Sequence, residues 1–121
     1  MNIRHAISFV FLSVVATTAS ASTTEPVTAC VDLGPSQDIV RKGSGQQIFL
    51  RDGDAHYRIA FARGCTSVSM TSSIDISTDG QQNRLCPTGS TVRTKEERCA
   101  ISTVERISAE EFTKHKKRAA R

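Results

Sequence analysis

The chain contains no tryptophan, one tyrosine (Tyr57) and only three prolines among its 121 residues. With aromatics so scarce, any core it builds must be mostly aliphatic. Long apolar runs are missing as well. The longest, from Ala6 to Ala16, has 11 residues and includes two serines, about half of the ~20 a transmembrane helix needs. There is no Cys-x-x-Cys and no close Cys/His spacing, and neither a G-x-S-x-G nor an H-E-x-x-H motif occurs. These absences exclude a thioredoxin-type redox centre, a zinc knuckle, a hydrolase nucleophile elbow and a zincin helix. No internal repeat is present, and the one biased stretch is the Ser/Thr-rich run at Ser20 to Thr24.

What is there begins with export. Arg4 and His5 precede the apolar stretch, and Ala19-Ser20-Ala21 closes it with small residues. A charged start, a short apolar core and an A-x-A site define a signal peptide over residues 1–21, cleaved after Ala21. The small side chains let an extended backbone enter the peptidase cleft. A lipoprotein reading competes, because Val27-Thr28-Ala29-Cys30 resembles a lipobox. Glu25 and Pro26 break the approach to it, so anchoring at Cys30 is the minor alternative. The expected location is periplasmic or secreted, with no transmembrane segment after processing.

Cleavage leaves 100 residues, Ser22 to Arg121, the size of one domain with a modest core. All four cysteines, Cys30, Cys65, Cys86 and Cys99, lie in this part. An even number in an exported chain reads as two disulfides with three possible connectivities. The net charge of +4 is unevenly placed. Lys114, Lys116, Lys117, Arg118 and Arg121 form a basic end without acids, while Ser22 to Thr113 carries 10 basic and 12 acidic residues. A near-neutral body with a basic end argues against specific nucleic-acid binding, which needs a broad cationic face.

Residues 22–45 lack periodicity and read as an extended lead-in, with a turn at Leu33-Gly34-Pro35-Ser36 and a break at Gly43-Ser44-Gly45. A β-rich domain is expected over 46–113. Gln46 to Arg51 and His56 to Phe61 form a hairpin across Asp52-Gly53-Asp54-Ala55. Tyr57, Ile59 and Phe61 share one face of it. Ile74 to Thr78 alternates and ends in the turn signal Asp79-Gly80. Short strands are expected at Asn83 to Cys86 and Ser90 to Arg93. In Cys99 to Ile107 the apolar Ile101, Val104 and Ile107 recur every third residue, which in a strand requires a bulge or kink. Ser108-Ala109-Glu110-Glu111 is a capping box opening a helix whose last core side chain is expected to be Phe112. Early acids and late bases suit the helix dipole, with residues 114–121 left as a basic tail. The fold class is mainly β (α+β): five to six short antiparallel strands in a small sheet or partly open barrel, a C-terminal helix and disulfide staples.

Tyr57-Arg58-Ile59-Ala60-Phe61, Gly64-Cys65, Ile74, Leu85, Val92 and Cys99-Ala100-Ile101 together resemble a group of small exported proteobacterial proteins of uncharacterised function. The resemblance spans roughly Ile48 to Ile107 and carries no activity. It implies a pairing: Cys65 and Cys99 fall where the group has its cysteines, leaving Cys30 and Cys86 as partners.

Two constellations remain. Asp52-Gly53-Asp54-Ala55-His56 can hold a cation or do acid–base work, but reads more simply as a turn whose aspartates cap their own amides. His56 with Glu96 or Glu97 and Arg93 or Arg98 can be drawn as a ribonuclease-like site. The basic end can attract an anionic envelope surface or serve only as a solvated helix terminus. The favoured expectation is a non-enzymatic binding or structural module without a cofactor; the alternative is a small exported hydrolase acting through His56.

Overall fold

The computed structural model describes residues 24–41, 45–71 and 73–120, with Ser13 alone before them. The signal peptide expected over 1–21, the Gly43–Ser44 part of the break and Arg121 of the basic end fall outside the described residues.

Among the described residues, ten strands, a 3₁₀ turn and one helix follow in order: β1 (Glu25–Pro26), β2 (Val31–Asp32), β3 (Gln37–Val40), β4 (Gln47–Asp52), β5 (Ala55–Phe61), the 3₁₀ turn (Thr66–Ser69), β6 (Asp75–Thr78), β7 (Gln81–Gln82), β8 (Arg84–Leu85), β9 (Ser90–Arg93), β10 (Arg98–Arg106) and α1 (Ala109–Ala119). Six of the strands have four residues or more, and the other four are two-residue pairings. The main sheet runs β3-β4-β5-β10-β9-β6-β7 and curls into a half-barrel, all its pairings antiparallel. β1 lies beside the far end of β10, and β2 pairs with β8.

The turns follow from their residues. Gly53, at φ 58°, takes the first central position between Asp52 and Ala55, as a type II′ hairpin requires. Asp79 and Gly80 both have positive φ, the geometry of a type I′ turn between β6 and β7. The concave face holds the main core: Ile48, Leu50, Tyr57, Ile59, Phe61, Ile76, Leu85, Val92, Ile101 and Val104, with Cys65, Val68 and Leu33 over it. As the composition demands, it is mostly aliphatic.

β10 accommodates its three-residue spacing through an irregularity between Ile101 and Thr103. The extra residue, Ser102, is exposed, and Ile101 and Val104 share the concave core. Ile107 is an odd step further on and faces the other way. There it joins Val40, Phe49 and Phe112 in a second cluster under α1. Ser108 Oγ accepts from the Glu111 amide at 3.1 Å and caps the helix.

Packing continues past Phe112. Ala119 lies against the second cluster, the His115 ring stacks on Phe49 with centroids 3.7 Å apart, and Lys116 pairs with Asp38. Positions 112, 115, 116 and 119 form one helical face, so Lys114 to Arg118 belong to a docked helix rather than a tail. The lead-in is likewise part of the body: it carries β1 to β3 and buries Leu33 and Val40. Both disulfides form as the resemblance implied, Cys65–Cys99 and Cys30–Cys86.

Candidate functional site

α1 crosses the convex face from β5 toward β3. Phe112 meets His56, His115 meets Phe49 on β4, and Lys116 reaches Asp38 on β3. The opposite helical face presents Lys114, Lys117 and Arg118, all exposed. Among the described residues no carboxylate lies within 4.0 Å of these three. Lys116 differs from them, because Asp38, which also faces Arg51 at 3.9 Å, holds it against the sheet.

The fold does not bring His56 together with Glu96, Glu97, Arg93 or Arg98. His56 sits at the start of β5 with Arg51 as its cross-strand neighbour and the Phe112 ring 5.3 Å away. Its carbonyl accepts from the Ile107 amide beyond the end of β10, whereas Arg98 begins that strand. Eight residues of strand separate the two levels, about 25 Å at roughly 3.3 Å each. The Asp52 carboxylate, expected to cap amides of its own turn, instead accepts from Gly34 at 3.0 Å and fastens the lead-in loop to the hairpin.

A further group of polar side chains gathers around the β9–β10 connection. Thr94 Oγ1 accepts from the amides of Glu96 and Glu97 at 3.2 and 3.1 Å, shaping the turn. It also bonds the buried Ser67 hydroxyl at 2.9 Å, and Ser67 donates to Glu97 Oε1 at 2.7 Å. On one side of this turn an open cleft of about 600 Å³ is lined by Ser73, Asp75, Arg93, Thr94, Lys95, Glu96, Glu97 and Arg98. On the other, a hollow of about 410 Å³ is lined by Ser67, Met70, Thr71 and Glu96. Glu97 Oε and the sulfurs of Cys65 and Cys99 lie within 4.8 Å of one another. The sulfurs are bonded to each other, so neither is a thiolate available to a metal. Sequence patterns signalled neither Ser67 nor the Arg93–Arg98 juxtaposition, since both depend on which strands become neighbours.

No family model matches the chain, and neither does any curated protein or solved structure. Among the described residues, no helix is long and apolar enough to cross a membrane.

Proposed function

We propose that the chain is an exported binding module, without enzymatic activity, that docks on anionic envelope surfaces through the exposed face of α1. In this reading residues 1–21 are removed, and the chain is one of the small exported proteobacterial proteins it resembles. The observation that carries the proposal is the set Lys114, Lys117 and Arg118, exposed on a helix whose other face is fixed to the sheet. A cation near an anionic leaflet contributes about 1 kcal/mol, so three contribute about 3 kcal/mol, roughly a hundred-fold in affinity. The face has no bulky apolar side chain to embed, so attraction should be electrostatic and lost when salt shortens the screening length to a few ångströms.

The test is sedimentation of the mature protein with phosphatidylglycerol-containing vesicles at low and high salt. Wild type should bind at low salt only, and a Lys114→Gln/Lys117→Gln/Arg118→Gln variant should lose most of that binding while remaining folded. Equal binding by the two proteins would reject the proposal.

A further inference from the structure

We propose that the cleft beside the β9–β10 turn binds a small organic phosphate, held by the guanidinium groups of Arg93 and Arg98. This site lies outside the α1 surface, on strands toward the other edge of the sheet.

The strand register sets the arrangement. Asp75, Arg93 and Arg98 are direct neighbours across β6, β9 and β10. The adjacent positions Ile76, Val92 and Cys99 point into the core, so these three project outward together. Like charges directly opposite each other on neighbouring strands repel, and a guanidinium cannot shed its proton to relieve it. The neighbouring acids do not quench the pair. Among the described residues neither arginine has a carboxylate within 4.0 Å, although Asp75 faces Arg93 in the register. Glu97 borders the cleft as well, with its Oε1 accepting from the Ser67 hydroxyl. Arg93, Lys95 and Arg98 share the cleft with Asp75, Glu96 and Glu97, a net of zero, so what selects an anion is the cross-strand arginine pair rather than the overall charge.

Two guanidinium forks side by side suit a tetrahedral oxyanion, which each can grip through two parallel N–H donors. The rest of the lining argues for more than a bare ion. Ser73, Asp75 and Glu96 share the same cleft of about 600 Å³ and are placed to bond hydroxyl groups on the phosphate's carrier. The volume falls in the range of small-molecule sites, about 300–1,000 Å³.

Titration with glycerol 3-phosphate at ionic strength held constant with potassium chloride tests the assignment by NMR. Saturable shifts are expected at residues 93–98 and at the arginine side chains. Arg93→Gln or Arg98→Gln should weaken binding about ten-fold or more, from the loss of charge-assisted bonds. Inorganic phosphate should bind several-fold more weakly than glycerol 3-phosphate. Glycerol 3-phosphate should also raise the melting temperature of wild type and leave that of Arg98→Gln unchanged. The absence of saturation, unaltered affinity in both variants, or equal binding of inorganic phosphate would overturn the proposal. An Arg93→Gln/Arg98→Gln protein should still sediment with anionic vesicles. If it does not, the phosphate recognised here is a lipid headgroup and the free-ligand assignment is wrong.

Discussion

Gly45 holds φ at +76°, and a Cβ placed on it would lie 2.9 Å from the Cys65 carbonyl oxygen. Its own carbonyl accepts from the Cys65 amide at 2.7 Å, so the approach to β4 is clamped to a disulfide cysteine. Gly45→Ala adds a left-handed backbone cost to a clash with backbone atoms that a rotamer change cannot relieve. The variant should lose about 2–4 kcal/mol, as read from urea unfolding. A loss below about 0.5 kcal/mol would mean the Cys65 loop yields freely. The sequence made a chain break here legible through Gly43-Ser44-Gly45. It did not show the demand on Gly45, because the atom it would strike is twenty residues away. Asp52 is similar: its turn was readable from local chemistry, but its partner Gly34 was not.

At the scale of elements, alternation and turn residues placed β4, β5, β6 and β9 to within a residue or two: β5, β6 and β9 alternate over the concave core, and β4, which also buries Phe49 against α1, is bounded by its turn. β10 was harder. Spacing by three announced its irregularity, yet no local rule says that Val104 belongs to the concave core and Ile107 to the helix cluster. That division decides where α1 docks, and hence how far it packs. Ending the chain after Thr113 removes the ring stacked on Phe49, the cation paired with Asp38 and the methyl of Ala119. Such a truncation should cost about 2 kcal/mol or more, from a lost aromatic pair and newly exposed apolar surface. Replacing only the exposed Lys114, Lys117 and Arg118 with glutamine should change stability by less than about 0.5 kcal/mol. Urea midpoints of the two variants measure the contrast, and a truncated protein as stable as wild type would remove the packing role given to the second half of α1.

For the whole molecule, the curled sheet leaves a gap between its β3 edge and the β6–β8 region, and the N-terminal segment bridges it. The Leu33 amide donates to the Asn83 carbonyl at 2.7 Å, Gln37 Nε2 donates to Asn83 Oδ1 at 3.2 Å, and β2 pairs with β8. The Cys30–Cys86 bond fixes this bridge, with Cys86 held by Ser90 Oγ, which accepts from its amide at 2.7 Å. Cys65–Cys99 instead ties the 3₁₀ turn to β10 inside the core. The bonds join residues 56 and 34 positions apart, and in the chain-entropy model each contributes about 4 kcal/mol. Equal in that respect, they differ in exposure to attack. Cys30 is exposed, whereas Cys65 is fully buried and Cys99 nearly so. The Glu97 carboxylate beside the inner sulfurs also repels an incoming thiolate. Under native conditions dithiothreitol should therefore open Cys30–Cys86 first, giving a singly reduced species that keeps Cys65–Cys99 and most of its sheet. Timed alkylation followed by peptide mapping and far-ultraviolet circular dichroism reads both features. Labelling of Cys65 and Cys99 before Cys30 would show that the Thr94–Glu97 turn opens more readily than the bridging segment, reversing the order of stability assigned to the two ends of the sheet.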